Sequence, residues 1–124
     1  MKVRILGSSI RFRLKQSEVK KFQQDGEIIE VTAFGGEPFD KLFFVLKKGI
    51  AENYAVHYHE NTITIEVPSA VCTEWTNTNL VGFEETIDTG KGEAIKILVE
   101  KDFKCLDGSD VENADAFPNP NLHC

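Results

Sequence analysis

One pattern of residues occurs twice in this chain, and any fold it adopts has to accommodate both copies. In the first copy Lys2 to Leu6 alternates polar and apolar residues, Gly7-Ser8 supplies a tight turn, and Ser9 to Leu14 alternates again. That is the signature of a β-hairpin. A two-residue loop sets Ile5 opposite Ile10 and Val3 opposite Phe12. Val3, Ile5, Ile10, Phe12 and Leu14 then share one face, and Lys2, Arg4, Arg11 and Arg13 the other. Gln16 to Gln24 carries Val19 and Phe22 at helical spacing and is stopped by Asp25-Gly26, so it reads as a short amphipathic helix. Glu27 to Phe34 and Lys41 to Lys47 read as strands, with Gly35, Gly36 and Pro38 in the loop between them.

The same order returns about 53 residues later. Tyr54 to His59 and Thr62 to Val67 read as strands around a turn at Glu60-Asn61, followed by a helix opened by Pro68, which suits a first helical turn. Leu80 to Ile87 and Ala94 to Glu100 supply two more strands, joined by a turn over Asp88 to Gly92. At this offset Val3 matches Val56, Ile10 matches Ile63, Phe12 matches Ile65, Val19 matches Cys72 and Phe22 matches Trp75. Few positions are identical, so what repeats is the pattern. The expected fold is α+β: a duplicated ββαββ unit with about eight mostly antiparallel strands and two short helices on the face carrying Ile10, Phe12, Ile63 and Ile65. The sheet either stays open or curls into a half-barrel. The halves run from about 1 to 50 and from about 51 to 103, one domain in all. Residues 104–124 form an acidic, proline-containing tail in which Phe117 and Leu122 are the apolar anchors.

Charge divides along the same boundary. Residues 1–50 hold 10 Lys/Arg against 6 Asp/Glu, whereas residues 51–124 hold 4 against 14. A net charge of -6 argues against nucleic acid as a partner, because neutralising phosphates takes a clustered excess of Lys and Arg. No apolar run approaches a membrane span, and Met1 leads straight into a charged alternating segment with no signal-peptide core. The cytoplasm is therefore the expected compartment.

Three groups of side chains invite chemistry. Lys2, Arg4, Arg11 and Arg13 share one hairpin face, where guanidinium groups can hold a phosphate or carboxylate. Like charges so close also call for counter-charge, which the acidic second half or the tail can supply. His57 occupies the matching face of the second copy and titrates near neutrality, so a curled sheet would bring it to the same cavity as an acid/base group. Cys105, His123 and Cys124 are thiolate and imidazole ligands of the kind zinc prefers, with His57 and His59 as additions. Their spacing matches no zinc finger, and free thiols or a Cys105–Cys124 disulfide are the other readings. Glu84-Glu85 with Asp88 is weaker still, since adjacent strand residues point to opposite faces. Cys72, three residues before Trp75, belongs to the buried stripe of the second helix.

The opening Lys2-Val3-Arg4-Ile5, then Ser9-Ile10-Arg11-Phe12-Arg13-Leu14 and Ser17-Glu18-Val19, together with Cys105-Leu106, Phe117-Pro118-Asn119-Pro120 and Cys124, resembles a family of small uncharacterised bacterial proteins. The family pattern has a helix-capping Thr where this chain has Lys15. The resemblance implies an intracellular single-domain protein and transfers no catalytic residue and no cofactor. Two functional classes follow. One is a binding protein, for a small anion or for a protein partner of the tail, acting as a monomer or homodimer. The other is an enzyme on a phosphorylated or carboxylated small molecule, with Arg11 and Arg13 holding the anion and His57 moving the proton.

Overall fold

A computed structural model describes residues 1–103 and 114–118. Each half contributes four strands and a helix: β1 (Lys2–Leu6), β2 (Ser9–Leu14), α1 (Gln16–Asp25), β3 (Glu27–Ala33) and β4 (Lys41–Gly49), then β5 (Ala55–His59), β6 (Thr62–Pro68), α2 (Ser69–Asn77), β7 (Gly82–Gly90) and β8 (Glu93–Lys101). The duplicated ββαββ order is thus as expected, and the first hairpin has the expected register, Ile5 opposite Ile10 and Val3 opposite Phe12.

The strands do not form one eight-stranded sheet. They form two sheets of four, β1-β2-β8-β7 (sheet I) and β3-β4-β6-β5 (sheet II), which are not closed into a barrel. Every hairpin is antiparallel, and the hairpins of the two halves are joined by parallel pairs, β2 with β8 and β4 with β6. Each sheet is therefore half from one copy and half from the other. The offset of about 53 residues carries Phe12 to Ile65 and Leu46 to Val99, and these are register partners in the two sheets, Phe12 with Val99 and Leu46 with Ile65. The halves thus interlock about a pseudo-twofold axis.

Alternate residues of the four central strands point inward to one core. It holds Ile10, Phe12 and Leu14, Ile97 and Val99, Phe44 and Leu46, and Ile65 and Val67. Phe12 meets Phe44 edge to face across the sheets, with ring centroids 6.4 Å apart. The helices close the core with the matched residues Val19 and Cys72, Phe22 and Trp75, all buried. Phe22 and Trp75 touch each other at 6.1 Å, so the equivalent aromatic of each half packs on its mate. Pro68 ends β6 and precedes α2 rather than lying inside the helix. The β7–β8 turn is tighter than expected: β7 runs on to Gly90 through a bulge, leaving Lys91-Gly92 as the turn, both with positive φ.

Helix α1 begins after Lys15, whose side chain accepts no hydrogen bond and so cannot cap the helix. Part of the capping comes from Glu18, whose Oε1 accepts from the Lys15 N–H at 2.9 Å. The rest comes from far along the chain. The Asp115 carboxylate accepts from the Ser17 backbone N–H at 3.2 Å and from the Ser17 hydroxyl, while the Gln16 N–H donates to the Asp115 carbonyl at 3.0 Å. Two residues on, Phe117 bridges to Phe103 with ring centroids 5.9 Å apart and covers the buried Lys101 ammonium, which lies 5.5 Å from its centroid.

Two substitutions test this arrangement. At Gly82 an added Cβ would stand 2.4 Å from the Val99 carbonyl oxygen and 2.7 Å from Glu100 Cβ, so β7 can lie against β8 there only without a side chain. Gly82→Ala should cost about 1–3 kcal/mol in urea unfolding. Asp115→Ala, which leaves the first turn of α1 with two fewer partners, should cost about 1 kcal/mol with the fold retained by circular dichroism.

Candidate functional site

The outward face of sheet I carries the four cations of the first hairpin, because β2 spends its alternate residues Ile10, Phe12 and Leu14 on the core. Register sets them in rows, Lys2 beside Arg13 and Arg4 beside Arg11. The parallel neighbour β8 then places Glu100 beside Arg13 and Leu98 beside Arg11. Arg11 Nε donates to Glu100 Oε1 at 2.7 Å. Asp102, just past β8, has its side chain 4% exposed between Lys2 at 3.0 Å and Arg13 at 3.2 Å. Arg13 Nε is buried without a hydrogen bond, the nearby Glu100 Oε1 lying 3.5 Å away. This carboxylate thus lies nearly buried between two cations, and removing either one would break one of its two ion pairs. Among the described residues the counter-charge does come from the acidic second half, and it pairs with Lys2, Arg11 and Arg13.

Arg4 is different. It is exposed and makes no ion pair with a carboxylate among the described residues. With Arg11 and Lys96 it lines a cavity of about 230 Å³ on this face, whose walls include Leu6, Ser9 and Leu98. Lys96 reaches this position because β8 pairs with β2 at Ser9. Its pair with Glu84 is long, 3.5 Å, and both side chains are more than half exposed. Such a pair contributes little and can open to a ligand. Nothing local in the sequence marked Lys96, since it joins the cluster only through a pairing between strands far apart in the chain.

The structure does not bring His57 to this cavity. His57 lies on β5, on the outward face of sheet II, 3.5 Å from Glu66. His59 points the same way and lies 3.6 Å from Glu60. Among the described residues no three His, Cys, Asp or Glu side chains are grouped to hold a metal ion. Cys105, His123, Cys124 and Leu122 lie outside the described residues. Glu84 and Glu85 pair with Leu98 and Ile97 and so face opposite ways, while Asp88 accepts the Gly90 N–H at 2.8 Å in the bulge.

The fold defines the class: an internally duplicated α+β protein of two interlocked four-stranded sheets, with a basic cavity on one outward face. The chain belongs to a family of unknown function, DUF7009, whose sequence pattern matches residues 1–121. Neither a curated protein nor a solved structure matches it. No helix among the described residues is long and apolar enough to cross a membrane.

Cys72 is buried, and its thiol reaches the Val67 carbonyl at 3.6 Å. Burial pushes its pKa up to about 11, despite an opposing pull from Lys48. The neutral thiol is inert, so Cys72 should stay unmodified by iodoacetamide at pH 8 in the native protein and react fully once unfolded, read by peptide mass spectrometry. The unfolded chain ionises this thiol first, so its contribution to stability should fall as pH rises from about 9 towards about 11.

Proposed function

We propose that this protein binds a small anion in the cavity between Arg4, Arg11 and Lys96. Arg4 carries the reading: a guanidinium without a carboxylate partner among the described residues, lining a cavity whose walls hold two further cations and no acid. Its planar donor fork suits a phosphate or carboxylate group, and Arg11, braced by Glu100, presents its remaining donors from a fixed position. Leu6 and Leu98 favour a ligand with some apolar body beside its charge. A cytoplasmic location belongs to the same proposal. The enzymatic alternative, with His57 as acid/base beside Arg11 and Arg13, has less support, because those groups face outward from different sheets.

Thermal unfolding in the presence of inorganic phosphate, pyrophosphate and citrate tests the site. At least one should raise Tm in a saturable way, and Arg4→Gln should abolish that rise with an unchanged ligand-free Tm. A flat response, or one undiminished by Arg4→Gln, would remove the proposal.

A further inference from the structure

The pseudo-twofold builds the same concavity twice. The offset of about 53 residues carries Arg4, Ser9 and Arg11 of the sheet I cavity to His57, Thr62 and Thr64, and carries Phe43 and Val45 to Lys96 and Leu98. His57, Thr62, Thr64, Phe43 and Val45 all line a second cavity, of about 440 Å³, on the outward face of sheet II. The equivalent place in the fold is concave again, but its chemistry has changed.

Its floor is apolar. Phe43 and Val45 of β4 lie beside Val31 and Ile29 of β3. Val45 is only 7% exposed although it lies outside the common core, so the concavity itself shelters it. Ile29 remains 52% exposed, an apolar surface that no described segment covers. At one end of this floor, register sets Glu27, Lys47 and Glu66 side by side across β3, β4 and β6. Lys47 forms an ion pair with neither neighbour, and among the described residues it has no ion-paired carboxylate. Glu66 is instead turned to His57 at 3.5 Å.

We infer that this second cavity binds an apolar α-amino acid, its side chain on Ile29, Phe43 and Val45 and its charged groups on the Glu27–Lys47–Glu66 row. An acid-base-acid row complements a molecule that carries an ammonium and a carboxylate on one carbon. A simple anion would meet two carboxylates and one amine there, and a simple cation would meet Lys47 between its partners. The zwitterion places its carboxylate on Lys47 and its ammonium on Glu66, with the Thr64 hydroxyl available to either group. The volume is of the size that small ligands occupy. The site is independent of the anion cavity on the other sheet, and either proposal can fail without the other.

The experiment titrates the full chain with L-leucine, with 4-methylpentanoate, which lacks the amine, and with 3-methylbutylamine, which lacks the carboxylate. Calorimetry reads affinity, and amide chemical shifts in nitrogen-15-labelled protein read location. Leucine should bind saturably with shifts centred on Val45, Thr64 and Glu66, and each analogue should bind at least about tenfold more weakly, as expected for loss of a charge-assisted bond. Lys47→Gln should weaken leucine by a similar factor, and Thr64→Phe, which fills the cavity, should abolish binding. Arg4→Gln should leave it unchanged. Absence of leucine binding at millimolar concentration, equal binding of either analogue, or shifts centred on β2 and β8 would each overturn the inference.

Discussion

Everything in this fold depends on two parallel strand pairings, β2 with β8 and β4 with β6. Each hairpin is local and would form two strands of a sheet, but two strands alone bury too little to persist in water. The parallel pairings join a hairpin of one half to a hairpin of the other and so complete both four-stranded sheets. They also bring the inward rows of the four central strands into one core, with the helices packing Phe22 edge-on against Trp75. Neither half has a complete sheet of its own.

The same pairings set the electrostatics. A basic hairpin and an acidic second half would be a liability as separate units. Interlocked, they place Glu100 and Asp102 among Lys2, Arg11 and Arg13, and the residual positive charge settles on Arg4 and Lys96. On the other sheet the equivalent positions carry hydroxyls, an imidazole and apolar side chains. One backbone plan used twice, with different residues at equivalent positions, thus presents two concave faces of unlike chemistry.

What the sequence made legible was whatever is local. The first hairpin, its register, both helices and the buried face of Cys72 and Trp75 follow from alternation, turn residues and helical spacing. The repeat itself was legible because apolar positions recur even where identities do not. The division into two sheets was not legible, because it depends on which hairpin a distant strand chooses, and β-branched strands of similar pattern leave that choice open. The candidate site shared this fate. Arg4 and Arg11 could be placed on one face from the hairpin alone, whereas Lys96, Glu100 and Asp102 enter only through β8. His57 was assigned to the same cavity on the expectation of a single curled sheet, and it faces outward from the other one.

The interlocked order of strands also sets a timetable for synthesis. Sheet II can close once β6 has left the ribosome, because its strands are consecutive from β3 to β6. Sheet I must wait for β8, although its first hairpin emerges before the other described strands. During that interval Lys2, Arg11 and Arg13 have no Glu100 or Asp102 beside them, and α1 lacks the Asp115 carboxylate at its first turn. The nascent chain is therefore a basic hairpin beside a growing sheet, and its charges are balanced only when the last strand arrives.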